Sequence, residues 1–394
     1  MFENLKAQPA DAILRLISEY QNDTRPKKID LGVGVYRNTK GETPILASVK
    51  KAEKMILEEQ DTKTYLGSGG DPVFNELMQG LIFGAKSANH ERIVTLHTPG
   101  GSGALCVAAG LVMRARRDAT LWVPDPTWAN HVPLLGGAGL TLKTYPYYDA
   151  KSKTVRFGDM LQTLGSVAAG DLVLLHGCCH NPTGMDLDRK QWQQIATLIS
   201  ERGLVPFVDI AYLGFAEGLE QDAWPVRLLF DSVHEMIVAA SCSKNFALYR
   251  DRIGSLSVVG RDRDARDILR SQAHNIVRTM YSMPPDHGAA IVRRILANAA
   301  LRKEWEGEVD AMRDRLKAMR RLLVDALAVS AKGHDFSHIR RANGLFSFLG
   351  ISEAQVDRLK RDYGVYMVGS SRINVAGVTA DNVAYLAESI AAVL

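Results

Sequence analysis

The stretch RIVTLHTPGGSGALCVAAGLVMRARR, residues 92–117, decides how the chain is read. RIVTLHT at 92–98 is a run of apolar and β-branched residues that reads as a strand. GGSG at 100–103 breaks it and opens the helical run that follows. A strand feeding a helix through a glycine turn is half of a βαβ unit. The alternation continues outward from there. LWVPD at 121–125, TLKTYPYYD from 141, DLVLLHG from 171, LVPFVDI at 204–210 and MIVAASCS at 236–243 read as further strands, and QWQQIATLISERG as a helix between two of them. Strands separated by about 30 residues with helices between them predict an α/β fold, a mostly parallel sheet between helices. In such sheets ligands sit beyond the carboxyl ends of the strands.

The pattern changes towards the C-terminus. LRKEWEGEVDAMRDRLKAMRRLLVDALA (301–328) reads as one long amphipathic helix. FSFLGIS, EAQVDRLKRDYG and VYMVGSSRINVAG follow, with a last helical segment, and predict a smaller α+β domain joined through the long helix.

Composition removes several classes. The chain has 394 residues, 48 Lys+Arg against 44 Asp+Glu, 46% hydrophobic and 23% charged residues, as expected of a globular protein with a large core. It has no run of about 18 apolar residues, so no membrane span is expected, and its first twenty residues mix charged with apolar ones, unlike a secretory signal. The basic residues are dispersed, with Arg114, Arg116 and Arg117 the tightest group, so no nucleic-acid surface is expected. The four cysteines, Cys106, Cys178, Cys179 and Cys242, show no zinc spacing and sit among apolar or small residues. We read them as free buried thiols of a cytoplasmic protein.

The residues with chemical potential fall just after strands. GGSG fits either a tight turn with Ser102 as a capping serine or an anion cradle at a helix N-terminus. Lys244 in SCSKN stands at a strand end among small residues, where desolvation would lower its pKa and make the amine a nucleophile or base. Asp209 and Tyr212 in FVDIAY lie at a strand end and one helical turn on, an arrangement that serves for capping or for holding a cationic ring nitrogen. HGCCHNPTG at 176–184 carries His176, His180 and Asn181; the two histidines have the spacing of a metal pair, but no third ligand is apparent. Trp128 lies in a loop after a strand, and Arg278 and Arg372 each suit a bidentate grip on a carboxylate as well as a surface position.

Taken in order, SCSKN with Arg252 eight residues beyond Lys244, HGCCHNPTG, Asp209 with Tyr212, DPTW and SSRINVAG resemble the class I aminotransferases, nearest their aspartate/aromatic amino acid branch, over nearly the whole chain. The resemblance implies fold type I, with residues 1–42 and 312–394 as the small domain and 43–311 as the large one. It implies pyridoxal 5′-phosphate (PLP) as cofactor. Lys244 matches the Schiff-base lysine and proton shuttle, and Asp209 the acid facing the pyridine nitrogen. Asn181 and Tyr212 match the partners of the ring oxygen, and Trp128 the stacking aromatic. Gly101, Ser102, Ser241, Ser243 and Arg252 match the phosphate cup, while His131 and His176 match supports behind Asp209, which sets the metal reading aside. Arg372 matches the α-carboxylate clamp, helped by Asn181 and Gly34. Tyr65 and Arg278 match residues that cross to a second copy, which implies a homodimer. The resemblance also implies cis bonds at Asp125–Pro126 and Asn181–Pro182.

On substrate choice the motifs divide. Arg278 favours dicarboxylates, and Val35 and Thr43 resemble the aspartate-selective members. Ser102 resembles the aromatic-active ones. Met283 replaces an asparagine that tethers the arginine in aspartate-selective members; a flexible thioether there would let the arginine move aside. The expectation is transfer from both aspartate and aromatic amino acids to 2-oxoglutarate by ping-pong kinetics, the alternative being a strictly aspartate-selective enzyme. A decarboxylase or lyase would share the cofactor residues, but Arg278 with Arg372 favours transfer. A ligand-sensing regulator would leave Lys244 with Asp209 unexplained.

Overall fold

The computed structural model describes residues 1–7, 12–87 and 90–394. Its centre is a seven-stranded sheet: β1 (Ile93–Pro99), β2 (Thr120–Asp125), β3 (Thr141–Pro146), β4 (Leu172–His176), β5 (Val205–Ile210), β6 (Met236–Ser241) and β7 (Ile253–Val259). In space they run β1-β7-β6-β5-β4-β2-β3, all parallel except β7, which is antiparallel to both β1 and β6. β6 and β7 are buried along their whole length, as the near-continuous apolar run MIVAAS of β6 requires.

β7 is the strand that the sequence pattern does not reveal. IGSLSVV alternates apolar residues with small polar ones, and nothing in it looks like a buried strand. Ser257 instead meets a polar row: its Oγ lies 2.8 Å from Thr95 Oγ1, which donates to Gln79 Oε1 at 3.1 Å. The TLKTYPYYD run also differs from a single strand. It divides after Pro146, and Tyr148–Asp149 pairs in a short hairpin with Thr154–Val155.

Helix α1 (Gly100–Ala115) starts at the end of β1. A left-handed Gly100 (φ 73°) makes the turn, and a Cβ there would stand 2.6 Å from Arg252 Nη2. Helix α2 is Arg263–Met280 and helix α3 is Ala299–Ser330. Asn298 caps α3 by accepting from the Ala300 and Leu301 amides. Leu301, Trp305, Val309, Met312, Leu316, Arg320, Leu323 and Leu327 form its buried stripe at the 3.6-residue period. Trp305 stacks on Phe246 at 4.3 Å and donates Nε1–H to Asn245 O at 2.8 Å, which fixes the turn just after Lys244.

Both ends of the chain meet beyond the sheet. Ile29–Asp30 pairs in parallel with Val365–Tyr366, and Phe346–Phe348 is antiparallel to Arg372–Asn374. Among the described residues no helix is long and apolar enough to cross a membrane. Cys178, Cys179 and Cys242 are buried free thiols; Cys106, expected with them, is partly exposed on α1.

Candidate functional site

β2, β4, β5 and β6 end along one edge of the sheet, where α1 also begins. The cavity there is lined by Gly34, Gly101, Ser102, Trp128, His176, Asn181, Asp209, Tyr212, Ser241, Ser243, Lys244, Arg252 and Arg372. Thirteen positions singled out in the sequence thus converge from separate elements.

Lys244 follows β6, with its Nζ 5.0 Å from the centre of the Tyr212 ring. Burial lowers its pKa from 10.5 to about 8; the Asp209 charge opposes that fall and Arg252 adds to it. An amine in that range is available as a base near neutrality. Asp209 lies one residue before the end of β5, and Tyr212 sits in an irregular turn, not one helical turn on, because no helix begins there. Burial would raise the Asp209 pKa, but the hydrogen bond from His131 and the nearby positive groups outweigh it and hold the carboxyl below its usual range.

A relay supports Asp209 from behind. The Asn181 N–H donates to His176 Nδ1 at 3.4 Å, which leaves the His176 proton on Nε2. That proton points to Thr127 Oγ1 (3.1 Å), so the threonine hydroxyl donates to His131 Nδ1 (2.8 Å), and His131 Nε2–H donates to Asp209 Oδ2 (2.9 Å). Burial, chiefly, keeps His176 well below its ordinary pKa and hence neutral, as the relay needs. Thr127 carries no sequence signal beyond standing between Pro126 and Trp128. His180 donates to no metal pair: its ring stacks on Tyr147 at 3.9 Å and Nδ1 meets Thr183 Oγ1 at 3.0 Å. Among the described residues no three metal-ligating side chains gather.

The residue types suit an anionic group and a polar ring. α1 has no side-chain cap, so Ser102 is not a capping serine and the first amides of the helix are left for a ligand. Ser241 Oγ donates to Ser243 Oγ at 3.1 Å, and Arg252 Nη1 reaches Ser243 Oγ at 3.4 Å. Two hydroxyls, a guanidinium and a helix N-terminus are the donors a phosphate dianion takes. Asn181 Oδ1 is buried in the cavity wall without a protein partner among the described residues.

Arg372 enters from the other side. Its Nη2 donates to Gly32 O at 2.9 Å, and its guanidinium lies 4.2 Å from the centre of the Phe346 ring. Asn374 Nδ2 donates to Val33 O (2.6 Å) and Val35 O (2.7 Å), which brings the Gly34 segment alongside. Phe346, Tyr249, Cys178, Ile13, Leu105 and Ala211 also line the cavity. Apart from Cys178, read only as a buried thiol, sequence reasoning did not single them out, because wall residues of these types carry no motif.

Other singled-out residues do not line this cavity. Tyr65 is 87% exposed, and Arg278, at the end of α2, is exposed and donates to Ser282 Oγ. Met283 does not hang free beside Arg278; its Sδ accepts the Leu66 N–H at 3.1 Å, which ties the Tyr65 loop to the Arg278 turn. Asp125–Pro126 and Asn181–Pro182 are both cis.

A sequence profile of the family described as aminotransferase class I and II matches residues 26–390. Aspartate aminotransferase of Escherichia coli (strain K12) is 48% identical over 396 residues, covering all of both chains. Aromatic-amino-acid aminotransferase of Paracoccus denitrificans is 43% identical, covering 99% of each. The crystal structure of aromatic-amino-acid aminotransferase from Burkholderia pseudomallei, covalently bound to pyridoxal phosphate, superimposes with a TM-score of 0.98 at 42% identity, covering 100% of this chain and 99% of that one.

Proposed function

We propose that this chain, which belongs to the class I and II aminotransferases, transfers the amino group of aspartate and of aromatic amino acids to 2-oxoglutarate with PLP as cofactor. The observation that carries this is a partly desolvated amine and a buried carboxylate on neighbouring strand ends, Lys244 and Asp209, between an anion cradle and the Arg372 guanidinium.

When bound, PLP supplies an electron sink for charge left on the substrate α-carbon. The phosphate is assigned to Gly101, Ser102, Ser241, Ser243 and Arg252, the ring nitrogen to Asp209, the ring oxygen to Asn181 and Tyr212, and the ring face to Trp128. Asp209, held ionised by His131, keeps a negative charge opposite a protonated ring nitrogen. Arg372 grips the α-carboxylate, with Asn181 and Gly34 beside it, and so orients the α-hydrogen towards Lys244. Lys244 is the residue that would hold the cofactor covalently. As a free amine, its Nζ would take the substrate α-proton and return it on the cofactor side. The first oxo acid leaves before the second enters, so the kinetics are ping-pong.

The site is completed by a second copy. Tyr65 and Arg278 are exposed and do not line their own cavity, and Met283 joins their two segments, which supports their delivery to a partner's phosphate and to the distal carboxylate of a dicarboxylic substrate. Residues 1–42 with 312–394 form the small domain on this reading, and 43–311 the large one. Free thiols fit a cytoplasmic setting.

Visible absorption of the PLP-loaded protein tests the proposal, with L-aspartate and L-phenylalanine added in parallel. Both should convert the resting band to that of the aminated cofactor. Conversion by aspartate alone would make the enzyme aspartate-selective; conversion by neither would refute the assignment.

A further inference from the structure

Asp186 has no role in the chemistry above, yet two halves of the site meet at its carboxylate. Oδ1 accepts the His180 N–H at 2.8 Å; Oδ2 accepts the Cys179 N–H at 2.9 Å and Asn343 Nδ2 at 3.0 Å. The first two donors are the backbone amides immediately before Asn181. Cys179 is left-handed (φ 51°), a conformation that a non-glycine residue keeps only when its surroundings hold it there. The carboxylate does so by taking both amides at once.

The third donor comes from the far end of the chain. The Asn343 N–H also donates to Gly184 O at 2.7 Å, and at Gly184 a Cβ would stand 2.3 Å from Phe346 O, so the two segments are in closest approach. Buried Arg320, on α3, fixes this second segment by donating to the carbonyls of Ile339, Asn343, Gly344 and Phe346. Phe346 in turn lies against the Arg372 guanidinium. A turn presenting Asn181 and a segment presenting Phe346 to Arg372 are therefore joined through one carboxylate and one amide.

We propose that Asp186 is a positioning residue of the transaminase: it sets Asn181 in the site and, through Asn343, sets it relative to Arg372. This rests on the functional reading above, in which Asn181 meets both the cofactor ring oxygen and the substrate carboxylate. The chemistry demands a carboxylate, because all three neighbours are donors and only an ionised acid accepts at both oxygens. Asp186→Asn would turn an NH₂ group towards at least one of them.

The test has two parts. In the cofactor-free protein, hydrogen–deuterium exchange over residues 177–184 should speed up about tenfold in Asp186→Asn, the cost of an unmet buried amide. Residues 212–218, whose amides at Gly214, Ala216 and Glu217 are held in the same way by Asp222, should be unchanged. In the holoenzyme, kcat/KM should fall about tenfold for aspartate and phenylalanine alike, and the pH midpoint of the bound cofactor's visible band should rise as Asn181 loses its hold on the ring oxygen. Asn343→Ala keeps both backbone bonds and should raise KM for both donors while leaving that midpoint in place. Unchanged exchange and midpoint in Asp186→Asn, or an unchanged KM in Asn343→Ala, would overturn the proposal. Should Asp186→Asn not fold, Asn343→Ala decides it alone. If wild-type protein loaded with PLP does not respond to aspartate, the functional reading fails instead, and the exchange experiment still reports on Asp186.

Discussion

Lys244→Met in the cofactor-free protein should make the fold more stable, by an amount that depends on pH. Burial takes the lysine from a pKa of 10.5 to about 8. At pH 7 the side chain is protonated in the unfolded chain and mostly so in the folded one, so the fold carries nearly the whole penalty of a partly desolvated ammonium, about 3 kcal/mol. Above 10.5 it is neutral in both states and costs nothing. Between those limits the unfolded chain binds more protons than the folded one, so wild-type stability rises with pH. At pH 9 the penalty is down to about 2 kcal/mol. Methionine keeps the length and the apolar stem and cannot titrate, and Asp209 retains its bond from His131. Urea unfolding of both proteins at one protein concentration, at pH 7 and pH 9, measures the difference. The variant should be the more stable, and its advantage should shrink by about 1 kcal/mol between the two pH values. An advantage that is constant with pH would mean that Lys244 is not desolvated in the fold, and its availability as a base near neutrality would lose its physical ground.

Three further outcomes are expected of the loaded enzyme. Asp209→Asn preserves shape and the contact with His131 but removes the charge facing the ring nitrogen; kcat/KM should fall by about 100-fold or more with either donor, measured by initial rates. Arg278→Leu should cut kcat/KM for aspartate by about 100-fold while phenylalanine loses far less, since only the dicarboxylate has a distal charge to lose. Gly100→Ala places a Cβ 2.6 Å from Arg252 Nη2 at a left-handed position, so PLP should be held about tenfold more weakly in equilibrium dialysis.

What could be read from the sequence, and what could not, divides along a physical line. Lys244, Asp209 and Asn181 stand at or beyond the ends of apolar strand runs, where ligands gather in such sheets; singly each also fits a bland role, and it was their order along the chain, in the resemblance to the class I aminotransferases, that singled them out. β7 was not legible: Ser257 pairs sideways with Thr95, which in turn donates to Gln79, so a strand buried on both faces carries a polar pattern. GGSG by itself left Ser102 open between a cap and an anion cradle; the helix start is built by a left-handed Gly100, and the amides are left uncapped. Thr127, Asp186 and Phe346 escaped for a third reason. Each acts on a neighbour brought close only by the fold: Thr127 joins two histidines 45 residues apart (131 and 176), and Asp186 meets Asn343 across 157 residues. Their types are ordinary for a turn or a core, so no local pattern separates them from their bland equivalents. The residues assigned here to the reacting groups thus lie at or near element ends, where strand runs give way to turns. Those that aim them lie wherever a donor or acceptor is missing, and that is known only when the backbone bonds of the fold have been accounted for.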